Sequence, residues 1–397
     1  MKLLFLANRI PYPPYRGDKL KIYNLAKRLA AKHELYLRSF TETEEDKQYK
    51  SKLEEVFKEV HLVHQPKWKS ALQCLQHIFS DMPFQVAYFQ NKELKNKLAE
   101  LLEQHQFDGI HVQHLRMAPY FLERKDLPVI LDLPDAFSLY WERRKKIKRG
   151  FLQTLFENIE QKRVLGYEQK VLNEFKLSLV CSQEDLEYLK EKHRIENIKL
   201  LPNGVDRTSF MSSGHDYAQS NTLLFTGNMD YAPNVDAVVY FVQDVLPIIQ
   251  QQFPKIKFVI AGQRPIPKVL ALANENVEVT GFVKDLSTIY RQASIVVAPL
   301  RFGAGTQNKV LEAMAMGIPV VCSHIGFKGL GIESGEGAIM QTDTAAFAKT
   351  VCDLLASEAL RKQVGEKGMF VIKEKFDWDV IVSHLEQYFI DLSSMFK

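Results

Sequence analysis

Short apolar runs alternate with amphipathic stretches along almost the whole chain. KLLFLAN (2–8) has the length and composition of a buried strand, and GDKLKIYNLAKRLAAKH (17–33) follows as an amphipathic helix begun by Asp18. Further strands are expected at HELYLRSF, EVHLVH, GIHVQH, PVILDL and LSLVCS. After the last of these, Ser182 and Asp185 form an S-x-x-D capping box that opens a helix. Apolar strands separated by helices predict a parallel sheet covered on both faces.

Residues 199–221, KLLPNGVDRTSFMSSGHDYAQSN, are rich in Gly, Ser, Asn and Asp and interrupt this rhythm. It restarts with TLLFTG as a strand, NVDAVVYFVQDVLPIIQQQF as one long helix, IKFVIAG and VEVTGF as strands, DLSTIYRQA as a helix and SIVVAPL as a strand. TQNKVLEAMAM supplies the next helix, with Val310, Leu311, Met314 and Ala315 toward the sheet and Gly317 and Pro319 stopping it. IPVVCS is the strand after it. The pattern predicts an α/β protein of two doubly wound domains joined near residue 205.

The chain has 397 residues, 46% hydrophobic and 25% charged, enough to bury two cores. A net charge of +4 is too small to argue for nucleic acid. Cys74, Cys181, Cys322 and Cys352 form no CxxC pair and read as reduced thiols of a cytoplasmic protein. The apolar run at the start stops at Asn8 and Arg9, too short for a signal peptide, and no membrane span is expected. WERRKKIKRG (141–150) places six basic residues among ten, ahead of a stretch rich in Leu, Phe and Ile. It reads either as a solvated helix face or as an interfacial helix drawn to anionic lipid at the inner face of a membrane. Trp68, between Lys67 and Lys69 and followed by ALQCLQHIF, is a second segment of that kind.

The candidate chemistry lies in RFGAGTQNKVLEAMAMGIPVV (301–321). A strand, a glycine turn at Gly303 and Gly305, and a helix place a helix N-terminus at the carboxyl edge of a parallel sheet, where open α/β sheets bind ligands. The N–H groups of Thr306, Gln307 and Asn308 would point out of that end, and the helix dipole favours an anion there. Lys309 in the first turn has the wrong sign for the dipole unless a negative ligand offsets it. Glu312, three residues on, can accept hydrogen bonds from a vicinal diol such as a ribose. The alternative is an i,i+3 ion pair that only solubilises the helix. Neither the Walker pattern G-x-x-x-x-G-K-[ST] nor G-x-G-x-x-G after the first strand occurs.

GNMDYAPN, VIAGQRP, VTGFVKDLSTIYRQASIVVAPL and GAGTQNKVLEAMAMGIPVV together resemble the donor domain of family 4 glycosyltransferases. LPNGVD (201–206) is similar to that family's passage into its second domain, and FDWDVIVSHLEQYF to its final helix. The resemblance implies the GT-B fold: two Rossmann-like domains facing across a cleft, residues 1–204 and 205–375, with a helix at 376–397 crossing back onto the first. It implies retaining transfer from a nucleotide diphosphate sugar to a glycan or lipid-linked acceptor in polysaccharide or glycolipid synthesis, without a metal or other cofactor.

On that reading Lys309 stabilises the departing diphosphate, Glu312 holds the donor ribose, and Gly281 to Val283 border the base. Gly227 and Asn228 lie in the loop after the strand matching LLFTG. The family's paired glutamates are reduced to one, Ala304 standing at the earlier position. The loop cations of many members are replaced by Asn228 and Pro233, so Arg301 or Arg264 is expected to compensate. In the first domain, Gly17 matches a glycine turn before a helix. His114 matches a histidine beside the sugar, although His111 or Gln113 also fits that position. Asp132 and Asp135 end another strand and are candidates to contact acceptor or sugar. A nucleotide-sugar epimerase and a non-catalytic nucleotide-sugar-binding subunit are the competing readings.

Overall fold

In the computed structural model, all residues are described except 15–16, 145–150, 207–209, 211–214, 219–220, 304–306 and 397, with the backbone alone for 151–153. The strands are defined by two-sided burial rather than by alternation. From Leu3 to Ala7, β1 (Lys2–Ala7) has no exposed surface, as a strand covered on both faces requires. It pairs in parallel with β2 (Glu34–Thr41), Lys2 opposite Glu34, and on its other side with β4 (Gly109–Gln113). With β3 (Glu59–His64), β5 (Val129–Leu133), β6 (Leu177–Val180) and β7 (Ile198–Leu200), the sheet order is β3-β2-β1-β4-β5-β6-β7. β7 falls where the sequence reads as the start of the interruption. Three residues at a sheet edge are too few to carry a periodic signal.

A second parallel sheet follows, built from β8 (Thr222–Thr226), β9 (Lys257–Ala261), β10 (Val277–Gly281), β11 (Ile295–Ala298), β12 (Val320–Cys322) and β13 (Ala338–Met340). Its order is β10-β9-β8-β11-β12-β13. The chain divides into two compact units, Met1–Asn203 with Ile381–Lys397, and Gly204–Val380. Residues 378–394 form one helix that begins in the second unit and ends in the first.

The long helix expected over 234–253 runs from Ala232 to Gln252, but its middle, Phe241–Val245, widens into a π-turn. Pro247 is the physical reason, since its ring cannot sit in a regular helix interior without displacing the turn before it. By length and composition alone this helix could cross a membrane. Here Val238, Phe241 and Ile249 are fully buried in the core of the second unit.

Ser182 caps its helix as expected: its Oγ accepts from the Asp185 N–H at 3.0 Å and donates to Asp185 Oδ2 at 2.6 Å. The helix opened by the 301–321 segment is Asn308–Ala315. Val310, Leu311 and Met314 are buried, and Ala313 rather than Ala315 completes the buried face. Gly317, at φ 73°, ends it, with Ile318 N–H reaching back to Ala313 O and Gly317 N–H to Met314 O.

Candidate active site at the carboxyl edge of the second sheet

The strand order of the second sheet reverses between β8 and β11, and a crevice at such a point is where open α/β sheets take ligands. The loop leaving β11 carries the charged segment, and the loop leaving β8 carries Gly227 and Asn228. Beyond β11 the chain turns through Gly303, whose φ of 143° favours a residue without a side chain. Gly305 and Thr306 lie outside the described residues. Gln307 is the N-cap of the Asn308–Ala315 helix and makes no side-chain cap.

Lys309 is 7% exposed. Its ammonium donates to Asn234 Oδ1 at 3.3 Å and to Gln307 Oε1 at 3.2 Å, and lies 5.0 Å from the centre of the Phe225 ring. Both oxygens are neutral amides. Among the described residues no carboxylate reaches ion-pairing distance of Lys309. Burial pulls the ammonium down to about 8, and the field of Glu312 only partly opposes it.

Glu312 is not a surface ion-pair partner. Its Oε2 accepts from the hydroxyl of Tyr290 at 2.8 Å. Burial raises its carboxyl above the usual range, with Tyr290 and Lys309 acting the other way. Tyr290 is fully buried, and its hydroxyl also meets Thr226 Oγ1 at 2.8 Å. The carboxylate is therefore aimed by a rigid phenol.

Asn234 is the companion of Lys309 that the sequence reading missed. Its amide nitrogen donates to Asn228 O at 3.0 Å, which leaves Oδ1 turned to the lysine. A Cβ on Gly227, at φ 155°, would come within 2.6 Å of that amide, so the glycine is what lets Asn234 lie against the end of β8. Asn228 itself accepts from Gln263 at 2.9 Å through its side chain. Asn234 follows a proline at a helix start, where an asparagine reads as a local cap. Tyr290 reads as core, because an apolar ring on an amphipathic helix carries no other mark.

Other candidates lie further out. Gly281 has φ 70° and open space where a side chain would stand, and Val283 packs on the cluster containing Tyr290. Arg301 is exposed and holds Asp236 in a two-pronged pair at 2.8 and 2.5 Å, above the ring of Tyr240. Arg264 is a non-glycine residue at φ 57°, largely exposed, with Asp230 at 3.4 Å. Both arginines thus hold carboxylate partners of their own.

In the first unit the sheet order reverses between β1 and β4. Asn8, just past β1, is 1% exposed, and among the described residues neither polar atom of its side chain has a hydrogen-bond partner. Such a group marks a polar demand that the surrounding protein leaves unmet. His114, at φ 84°, is buried against Phe137, and its Nδ1 accepts from the Arg116 N–H at 3.2 Å. Burial first, then Arg116 and Arg9, holds its ring well below the usual histidine range, so it is neutral at pH 7. Gln113 donates to Asp18 O at 2.7 Å, and Gly17 is the first residue of its helix rather than a turn before it. Asp132 is enclosed with Lys21 at 2.7 Å and His111 at 3.1 Å. Asp135 groups with Cys181 and Asp185 within 4.8 Å, and burial pushes its carboxyl well above the usual range.

Two family models match, Glycosyltransferase Family 4 over residues 22–209 and Glycosyl transferases group 1 over residues 220–357. The chain belongs to the family 4 glycosyltransferases. Curated relatives match over part of their length. A phosphatidyl-myo-inositol mannosyltransferase of Mycobacterium leprae is 28% identical over 195 residues, 47% of this chain and 51% of that protein. A 44.6 kDa protein from the cps region of Klebsiella pneumoniae is 26% identical over 172 residues, 41% and 44% of the two chains. The chain spans about half the length of these curated relatives. Among solved structures, the sucrose-phosphate synthase of Thermosynechococcus elongatus has a TM-score of 0.71 at 14% identity, covering 100% of both chains. HepE of Anabaena in complex with UDP has a TM-score of 0.69 at 15% identity, covering 98% of this chain and 99% of that one. The fold of this family 4 chain is GT-B.

Proposed function

We propose that the protein transfers a sugar from a nucleotide diphosphate sugar to a glycan or lipid-linked acceptor, with retention of anomeric configuration, in polysaccharide or glycolipid biosynthesis on the cytoplasmic side of the membrane. The observation that carries this reading is Lys309: a buried ammonium in the first turn of a helix, served among the described residues only by amide oxygens at 3.2 and 3.3 Å. Desolvating a cation without a matching anion is unfavourable, and a diphosphate at the helix end supplies the missing charge.

As the bond from sugar to diphosphate breaks, negative charge grows on the leaving group. An ammonium and helix N–H groups already held in place stabilise that charge more in the transition state than in the bound donor. Glu312, aimed by Tyr290, takes the ribose hydroxyls, and the Gly281–Val283 backbone borders the base. The cation's role falls to Lys309, so the reading assigns no metal to the reaction, and turnover should survive EDTA. The Anabaena neighbour was crystallised with UDP and with UDP-glucose, which supports a nucleotide-sugar donor. The Mycobacterium leprae relative is a mannosyltransferase by name, which supports glycosyl transfer.

The test is a thermal-shift panel of UDP-, GDP- and ADP-sugars. A donor at a hundred times its dissociation constant adds about 2.7 kcal/mol of stability. Stabilisation of the wild type, absent in Lys309→Met, is the expected result. If no nucleotide sugar stabilises the protein, the reading fails.

A further inference from the structure

Large apolar side chains that stay exposed are unevenly spread over the molecule. In the helix Lys67–Gln76 only Ser70 is buried. Trp68, Leu72 and Leu75, at i, i+4 and i+7, form a stripe down one side, yet they are 65%, 47% and 62% exposed. Ile78 and Phe79 extend the stripe directly past the helix, and Phe79 is fully exposed. An amphipathic helix of a globular core turns such a stripe inward; this one turns it out.

The helix Phe151–Glu174 carries a second outward group, Leu155, Phe156 and Ile159, each about half exposed. The two groups belong to one surface. Phe156 stacks on Phe84 with ring centres 5.5 Å apart and planes 11° apart. Arg163, one turn beyond Ile159, lies 4.5 Å over the same Phe84 ring and donates to the carbonyls of His77 and Ile78. The second helix is thus clamped to the end of the first.

Along the stripe itself, from Gln65 to Ser80, the charge is of one sign. Residues 65–80 contain Lys67 and Lys69 but no aspartate or glutamate, and the first acid after them is Asp81. On the facing helix, Glu157 and Glu160 are both buried: the first accepts from Arg144 at 3.0 Å, the second from the backbone N–H of Phe84 at 2.9 Å. Neither adds exposed negative charge. In the sequence, the densest basic run of the chain, Arg143 to Arg149, ends just before that helix.

We propose that this face, Trp68 to Phe79 with Leu155 to Ile159, docks on an anionic lipid bilayer, inserting its aromatic and aliphatic side chains at the headgroup boundary. An apolar stripe without acids, flanked by lysines, matches an acidic lipid surface on both counts: apolar burial and charge. A protein groove would satisfy the apolar stripe equally well, but it does not account for the basic charge and absence of acids along it.

Flotation of the full-length chain with vesicles tests this, and it needs no donor, so its outcome is separate from that of the transferase reading. Binding is expected to vesicles containing phosphatidylglycerol, with much weaker binding to phosphatidylcholine alone and loss at high salt. The Trp68 emission should shift to the blue on binding, and the shift should vanish in Trp68→Phe. Leu75→Glu with Phe79→Glu should lower the bound fraction about tenfold. Lys67→Glu with Lys69→Glu should weaken binding to acidic vesicles alone. These side chains are exposed, so unchanged thermal melting should accompany every variant. Failure of the wild type to float with acidic vesicles overturns the proposal, and so does equal flotation of the Leu75→Glu, Phe79→Glu variant. A dimer in sedimentation that this variant dissolves, without vesicle binding, overturns it in favour of a second copy of the chain.

Discussion

Both units bury lysines, and Lys21 in the first and Lys309 in the second are treated in opposite ways. Lys21 in the first unit is 2% exposed, and its Nζ lies 2.7 Å from Asp132, which also meets His111 at 3.1 Å. Burial alone would raise that carboxyl, but Lys21 and His111 outweigh it and hold Asp132 below its usual range. Lys309 in the second unit is 7% exposed and, among the described residues, meets only amide oxygens and an aromatic ring. The first charge is answered inside the protein, whereas the second is left for something that arrives. Two lysines of similar burial are therefore distinguished by their partners: one braces a core and the other holds a site open.

The largest expected effect that tests this contrast is at Lys309. Lys309→Met should lower turnover by about three orders of magnitude, the scale of losing one preorganised charge contact to a leaving group. The same change should raise the melting temperature. A lysine whose folded pKa is depressed from 10.5 to about 8 costs stability at every pH below that window, here roughly 3 kcal/mol at pH 7. Methionine removes that cost. Differential scanning calorimetry beside a turnover assay reads both, and a fall in stability would break the contrast.

Lys21→Met should do the reverse. It leaves Asp132 buried without its cation and destabilises the fold by about 3–5 kcal/mol, most of it recovered when Asp132→Leu is added. Urea unfolding of the single and double variants measures this.

A smaller effect is the pH dependence of donor binding. A bound diphosphate favours the charged lysine, so affinity should be greatest below the free-state value. It should fall as pH rises through about 8, approaching tenfold per unit at higher pH. Calorimetric titration across pH 6.5–9.5 would show it, and a flat profile would assign the anion to another cation. Tyr290→Phe should have the least effect, a loss of about fivefold in kcat/KM that appears mainly in KM, because Glu312 loses the hydrogen bond that aims it at the ribose while the lysine is untouched.

Most of the parallel strands could be read in advance because two-sided burial forces a continuous apolar run, and such runs are visible in one dimension. β7 and β13 could not, being three-residue edge strands with too few positions to form a pattern. The π-turn at Phe241–Val245 was missed although Pro247 marks its cause, since helical periodicity carries straight through one widened turn. In the site, Lys309 and Glu312 stand out as charges on an apolar helix. Asn234 and Tyr290 come from 75 residues upstream of Lys309 and 22 upstream of Glu312. Their residue types suit a helix start and a core equally well, so nothing local distinguishes them.

Alternation of apolar strands and helices was enough to specify a doubly wound α/β chain and to place a glycine turn before a charged helix, because these depend on near neighbours. Which partners each charge finds was settled only when β8 and β11 came side by side. Electrostatic cost depends on what lies within a few ångströms in space, and separation along the chain does not record that distance. The same holds for the stripe from Trp68 to Phe79. Its spacing marks an amphipathic helix, but only packing reveals that the apolar side was left facing out.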